Sequence, residues 1–293
     1  MVYAPIGLSV YSRLQHLQKA VHSLENNTIA RDCYLYIFSD APKPGDEEKV
    51  AEIRQYLRTI TGFKQITIIE REQNSRIENN RGGQKYLLNK YGKMIWLAED
   101  ILCAPGFLTF ANQALDIYED NKQIYSVSGY VEPFKAPLDY PYDAFFTHRF
   151  NAWGLAIWKD RYFNIPERIT REDYSRLVNN NSLLQKFAYF IGEDAINMLR
   201  REALGEIDAL DVRIMYYQFM NNLLTVRPAK SLTQNIGHDG SGIHCNKTNR
   251  FDVEPWDKTG NFEFPEQIAL NRKYANRLSM FRRIKNYTQV QKQ

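Results

Sequence analysis

Four short apolar runs, three of them leading into a stretch of helical spacing, constrain this chain more than any other feature. The runs are Pro5 to Tyr11 (PIGLSVY), Tyr34 to Phe38 (YLYIF), Ile66 to Ile69 and Met94 to Ala98 (MIWLA). Leu14, Leu17, Val21 and Leu24 follow the first at the three-and-four spacing of an amphipathic helix, and Val50, Ile53, Leu57 and Ile60 follow the second. Residues 79–91 can form a further helix, and Pro105 opens one that carries Phe107, Phe110, Ala114, Leu115 and Tyr118. Strands that alternate with helices predict an α/β fold: a Rossmann-like, mostly parallel sheet with helices on both faces. Ligands of such sheets sit beyond the carboxyl ends of the strands. Asp40 and Asp100 both fall at such ends.

After Tyr130 the pattern becomes less regular. A proline-rich stretch (VEPFKAPLDYPYD) leads to HRFNAWGLAIWKDRYF and then to a helix-rich region from about Asp173 to Asn222. A chain of 293 residues can bury one large core or two smaller ones. The expected division is a nucleotide-binding half at 1–130, an acceptor-binding and catalytic half at 131–262 and a basic tail at 263–293. From Arg272 onward the tail has no Asp or Glu, while Leu270, Tyr274, Leu278, Phe281 and Ile284 recur at helical spacing. Such a helix either lies on an anionic membrane surface or packs on the body of the protein.

A net charge of +4 is too mild to point to nucleic acid. Cys33, Cys103 and Cys245 are widely spaced and form no CxxC pair, so neither a disulfide framework nor a zinc site is expected, and a reducing compartment fits. No signal-peptide pattern opens the chain, and no run approaches the ~18 apolar residues of a membrane span. The expected location is cytoplasmic, with at most peripheral contact at the inner face of the membrane.

The strand ending Trp96-Leu97-Ala98-Glu99-Asp100 places carboxylates where Mg²⁺ or Mn²⁺ is commonly shared with substrate phosphates. By spacing alone such a pair is more often a solvated turn or a helix start. AEDILCAPGF, however, resembles the EDDLxxAPDF segment of the eukaryotic N-acetylglucosaminyltransferase that begins hybrid and complex N-glycans, and of related bacterial GT-A glycosyltransferases. The resemblance implies a metal ligand at Asp100 and a ribose-facing Glu99, with Ala98 in place of the family's first acidic residue. PIGLSVYSR is similar to the family's first strand and implies a nucleotide contact from Arg13. Phe38-Ser39-Asp40 resembles the segment whose Asp accepts a bond from the uracil ring, although a turn Asp looks the same. RFNAWGLAIW resembles a WGW-type segment that implies Trp153 and Gly154 in the sugar pocket. IDALDVRI followed by RPAKSLTQNIGHDGSG resembles the WDDW and RPExSRTxxFGxxG segments, which implies a general base at Asp211. Asp208, about one helical turn away, is the second candidate, and Glu193-Asp194 is a further acidic pair. Gly237, Gly240 and Gly242 predict a loop over the diphosphate, with His238 or His244 near phosphate or metal.

Together these features lead to the expectation of a metal-dependent, inverting glycosyltransferase of the GT-A type. It would move an N-acetylhexosamine or hexose from a UDP-sugar to an oligosaccharide or lipid-linked glycan in polysaccharide or lipopolysaccharide assembly. Two alternatives stay open. A nucleotidyltransferase would normally open with a glycine-rich phosphate loop that PIGLSVYSR lacks, and a non-catalytic sugar-nucleotide-binding protein is suggested by Ala98 alone. No GxGxxG follows any strand, which excludes the usual dinucleotide fingerprint.

Overall fold

The computed structural model describes residues 2–242 and 247–283. Ten strands are present among them: β1 (Ile6–Val10), β2 (Tyr34–Ser39), β3 (Gln65–Glu70), β4 (Lys93–Ala98), β5 (Ile101–Cys103), β6 (Ile124–Ser128), β7 (Ala144–Thr147), β8 (Leu155–Trp158), β9 (Leu224–Pro228) and β10 (Thr233–Asn235). Eight of them form one sheet in the order β3-β2-β1-β4-β8-β6-β9-β7. The pairings β1 with β2, β1 with β4, β2 with β3 and β6 with β9 are parallel, while β8 and β7 run against their neighbours. Six strands therefore share one direction and the sheet is mostly parallel, as expected.

Strand alternation divides the core into two layers. Leu35, Ile37, Ile95 and Leu97 point to one face, beneath the Leu14–Glu25, Glu47–Leu57 and Phe107–Ile117 helices. Tyr36, Phe38, Met94 and Trp96 point to the other, beneath the Gly83–Tyr91, Glu193–Ala203 and Leu210–Met220 helices. The second half of the chain is more than a helical annex, because β7, β8 and β9 complete the same sheet.

The tail takes the second of its two expected courses. Leu270 bridges to Phe146 rather than joining the helix, which runs Arg272–Arg282 and is capped by the Asn271 side chain. Tyr274 is buried and stacks on Phe145 with centroids 3.8 Å apart, and Leu278 is buried beside it. The apolar stripe is thus consumed by the body of the protein. Ile284 lies outside the described residues. Arg282 reaches into the core to Glu132, whose other oxygen is held by Arg227 at 2.8 Å. Burial opposes ionisation of Glu132, but Arg227 and Arg282 outweigh it and hold the carboxyl far below the usual range. No helix among the described residues is long and apolar enough to cross a membrane.

Candidate active site

The sheet order reverses direction between β1 and β4, since β2 and β3 extend to one side of β1 and β8 to the other. In an open α/β sheet that reversal opens a crevice at the carboxyl ends of the two strands. The chain leaves β1 through Tyr11 and Arg13, and leaves β4 through Glu99 and Asp100. The four meet. Arg13 Nε donates to Glu99 Oε1 at 2.7 Å and Arg13 Nη2 to Asp100 Oδ2 at 2.7 Å, while the Tyr11 amide donates to Glu99 Oε2 at 2.6 Å.

Glu99 is buried, and desolvation pushes its carboxyl above the usual range despite the bonds from Tyr11 and Arg13. For Arg13, burial works against the charge, but Asp100 and Glu99 outweigh it and hold the guanidinium above its ordinary value. Both Glu99 oxygens are turned to Tyr11 and Arg13, so this carboxylate anchors the loop. Asp100 is the partly exposed member, with 15% of its side chain accessible. One guanidinium against two carboxylates leaves a formal charge of −1, which favours a cation at the mouth.

Two short strands complete the wall. β5 pairs with β10, and the Ile236 amide donates to the Asp100 carbonyl. Gly237 is thereby set so close that a Cβ there would lie 2.2 Å from Asp100 Oδ2 and 3.0 Å from Arg13 Nη1. The next residue, His238, packs its ring 5.3 Å from Trp153 and 5.1 Å from Phe251, with Nε2 buried and without a hydrogen-bond partner among the described residues. Trp153 in turn meets Tyr130 edge-on at 4.4 Å. Trp153 therefore stands in an aromatic wall beside Gly237. Gly154 has φ +79°, and its Cβ position is filled by Thr233 and Phe107, so its demands come from a turn and from core packing. His244 lies outside the described residues.

Asp40 is buried at the end of β2, where Oδ1 accepts from the Ala41 and Ser75 amides and Oδ2 from Asn74 Nδ2. Through these bonds it organises the loop after β3. The two base candidates separate clearly. Asp208 is not on the helix that carries Asp211, because that helix begins at Leu210 after an Ala209 cap, so the expected separation of one helical turn is corrected. Arg81 and Arg213 clamp Asp208, and although burial works the other way these bonds lower its pKa. Asp211 is open to solvent on one side while protein crowds it on the others; this desolvation raises its pKa, with Arg149 and Arg76 pulling weakly down. Asp194 is tied to Arg149 at 2.8 Å and belongs to the buried network around Glu132.

Among the described residues no group of three or more His, Cys, Asp or Glu side chains comes together to hold a metal. A cation here would have Asp100 as its one carboxylate ligand, an arrangement that suits Mg²⁺ or Mn²⁺ completed by substrate phosphates and water. The sequence reading missed the contributions of Phe251, Tyr130 and Arg81. Phe251 lies in a segment without periodicity, and nothing in the sequence marks it as a neighbour of Trp153.

No protein-family model matches the chain, and no curated protein matches it. Among solved structures it is similar to residues 1–349 of S. aureus TarS, at 7% identity over 79% of this chain and 59% of that one, with a TM-score of 0.42. It is also similar to the glycosyltransferase GlyE of Streptococcus pneumoniae TIGR4, at 14% identity over 77% and 45%, with a TM-score of 0.38. A third is the mannosyltransferase PcManGT of Pyrobaculum calidifontis, solved with GDP-Man and Mn²⁺, at 17% identity over 60% and 47%, with a TM-score of 0.33. The chain spans 59% of the first of these chains and less than half of the other two. Identities of this size assign no activity, so a functional reading rests on the residues of this chain.

Proposed function

We propose that the chain is a nucleotide-sugar-dependent glycosyltransferase of the GT-A type, binding a UDP-sugar in the crevice between β1 and β4. The observation that carries the reading is the meeting of Arg13, Glu99 and Asp100 at the reversal of strand order, closed from above by Gly237. A guanidinium and a −1 surround at that position suit a diphosphate bridged by a divalent cation. Bound there by Asp100, Mg²⁺ or Mn²⁺ would supply charge neutralisation on the departing nucleoside diphosphate. Arg13 is placed to turn to the same phosphates.

Transfer is read as inverting. The acceptor hydroxyl attacks the anomeric carbon, the new C–O bond forms as the bond to the diphosphate breaks, and the electron pair leaves with UDP. The proton of that hydroxyl passes to Asp211, whose raised pKa and open side suit a general base better than the doubly clamped Asp208. Trp153, with Phe251 and His238, offers an aromatic face to a sugar ring. The sugar is read as a hexose or N-acetylhexosamine, the acceptor as a glycan of cell-surface polysaccharide or lipopolysaccharide, and the setting as the cytoplasm.

UDP release from a panel of UDP-sugars, with and without Mn²⁺ and with Asp100→Ala beside the parent, tests the reading. Loss of one electrostatic contact to a developing charge costs about a hundredfold or more in turnover. Equal turnover by the variant in chelator would refute the metal role, and absence of UDP binding by the parent would refute the donor site.

A further inference from the structure

Behind the Asp208 clamp the molecule carries a cavity of about 980 Å³, which the donor crevice does not use. It is walled by the segment from Tyr162 to Thr170, by the segment from Glu202 to Asp208, and by Arg81 and Lys85 on the first half of the chain. Its volume stands at the upper end of the ~300–1,000 Å³ of small-molecule clefts, so a single monosaccharide would leave most of it empty.

The lining is amphiphilic and electrically balanced. Four basic and four acidic side chains line it, a formal sum of 4 − 4 = 0. Arg81, Asp208, Arg213 and Glu202 form a continuous chain of ion pairs along one wall. Beside these planar polar groups stand two large, partly exposed apolar side chains. Phe163 is 45% exposed and Leu204 is 42% exposed, and both line the cavity. Arg168 lines it with no ion-pair or hydrogen-bond partner among the described residues, and Arg213 Nε is buried and unpartnered. A phosphorylated ligand would call for net positive charge, and a lipid tail would call for a continuous apolar wall. The combination present matches an uncharged polyol with C–H faces and hydroxyl edges.

We infer that this groove binds a stretch of several uncharged sugar residues, as an extended subsite for the acceptor glycan. Asp208 and Leu210 line the groove and lie within three residues of Asp211 in the chain, which puts the groove on the wall formed by the start of the Leu210–Met220 helix. The inference rests on the transferase reading for the word acceptor, but binding of a neutral oligosaccharide is measurable without turnover.

The test uses the full chain on an array of printed neutral and acidic oligosaccharides of one to six residues, with Phe163→Ala and Arg168→Ala as exposed-site variants. UDP affinity with Mn²⁺ is measured in parallel by calorimetry. The expected result is retention of neutral glycans that grows with length, about tenfold weaker in each variant, as for loss of one good contact, with UDP affinity and melting temperature unchanged. Retention of no glycan, of acidic glycans only, or equal retention by both variants overturns the groove assignment. Glycan retention without UDP binding sustains the groove and removes the transferase reading; UDP binding without glycan retention does the reverse.

Discussion

Asp208 and Asp211 are three residues apart and chemically identical, yet their surroundings drive them in opposite directions. Two guanidiniums hold Asp208 as a settled anion, while crowding leaves Asp211 above its ordinary pKa. A general base works deprotonated, so the rate should rise with pH through the raised pKa of Asp211. The acid limb of kcat is expected above the usual carboxylate range of about 4; a limb at or below that range would count against Asp211. Asp211→Asn should lower kcat by about 10²–10⁴ while UDP still binds, and Asp208→Asn should cost less. Asp40, Glu99 and Asp100 were legible as strand-end residues because periodicity announces where a strand stops, whereas Arg13 was marked by the family resemblance alone. The fate of Asp208 was not, because its partner Arg81 is 127 positions away.

At the scale of elements, the long periodic segments emerged where they were expected, and the shortest ones did not. β5 and β10 have three residues each, too few to display alternation, and their pairing across the site fixes Gly237 against Asp100. Gly237→Ala would force a methyl into the carboxylate, and is expected to weaken UDP and Mn²⁺ binding at least about tenfold with little change in melting temperature, as read by calorimetry on the purified variant. The tail helix shows the opposite limit: its amphipathic stripe was plain, but a stripe does not say which surface covers it. Tyr274, Leu278 and Arg282 answer with the interior. Arg282→Ala would strand Glu132 with one partner, and breaking a buried pair of this kind costs about 3–5 kcal/mol. That corresponds to a melting temperature lower by on the order of 10 °C. Stability from Glu132 is fully present above the ordinary carboxylate pKa and is lost progressively as pH falls from there through its depressed folded value. The margin of the parent over Glu132→Gln in melting temperature should therefore be widest near neutral pH and narrow on acidification.

Across the whole molecule, one sheet runs through both halves, and the reversal of strand order beside β1 decides where chemistry can occur. The parallel pairing of the first four strands followed from the βα alternation; the antiparallel insertion of β8 between β4 and β6 did not, because its four residues sit in a segment without a turn signature. Arg13 occupying one oxygen of Asp100 has a consequence for the resting protein. A dissolved divalent ion must compete with a tethered guanidinium for Asp100, and an incoming pyrophosphate gives that guanidinium somewhere else to go. Loading should then be concerted: Mn²⁺ titrated by itself should bind feebly, and far more tightly once UDP is added. Arg13→Ala should narrow that difference from both ends, whereas with Arg13 in place an idle molecule stays free of ions until a nucleotide arrives.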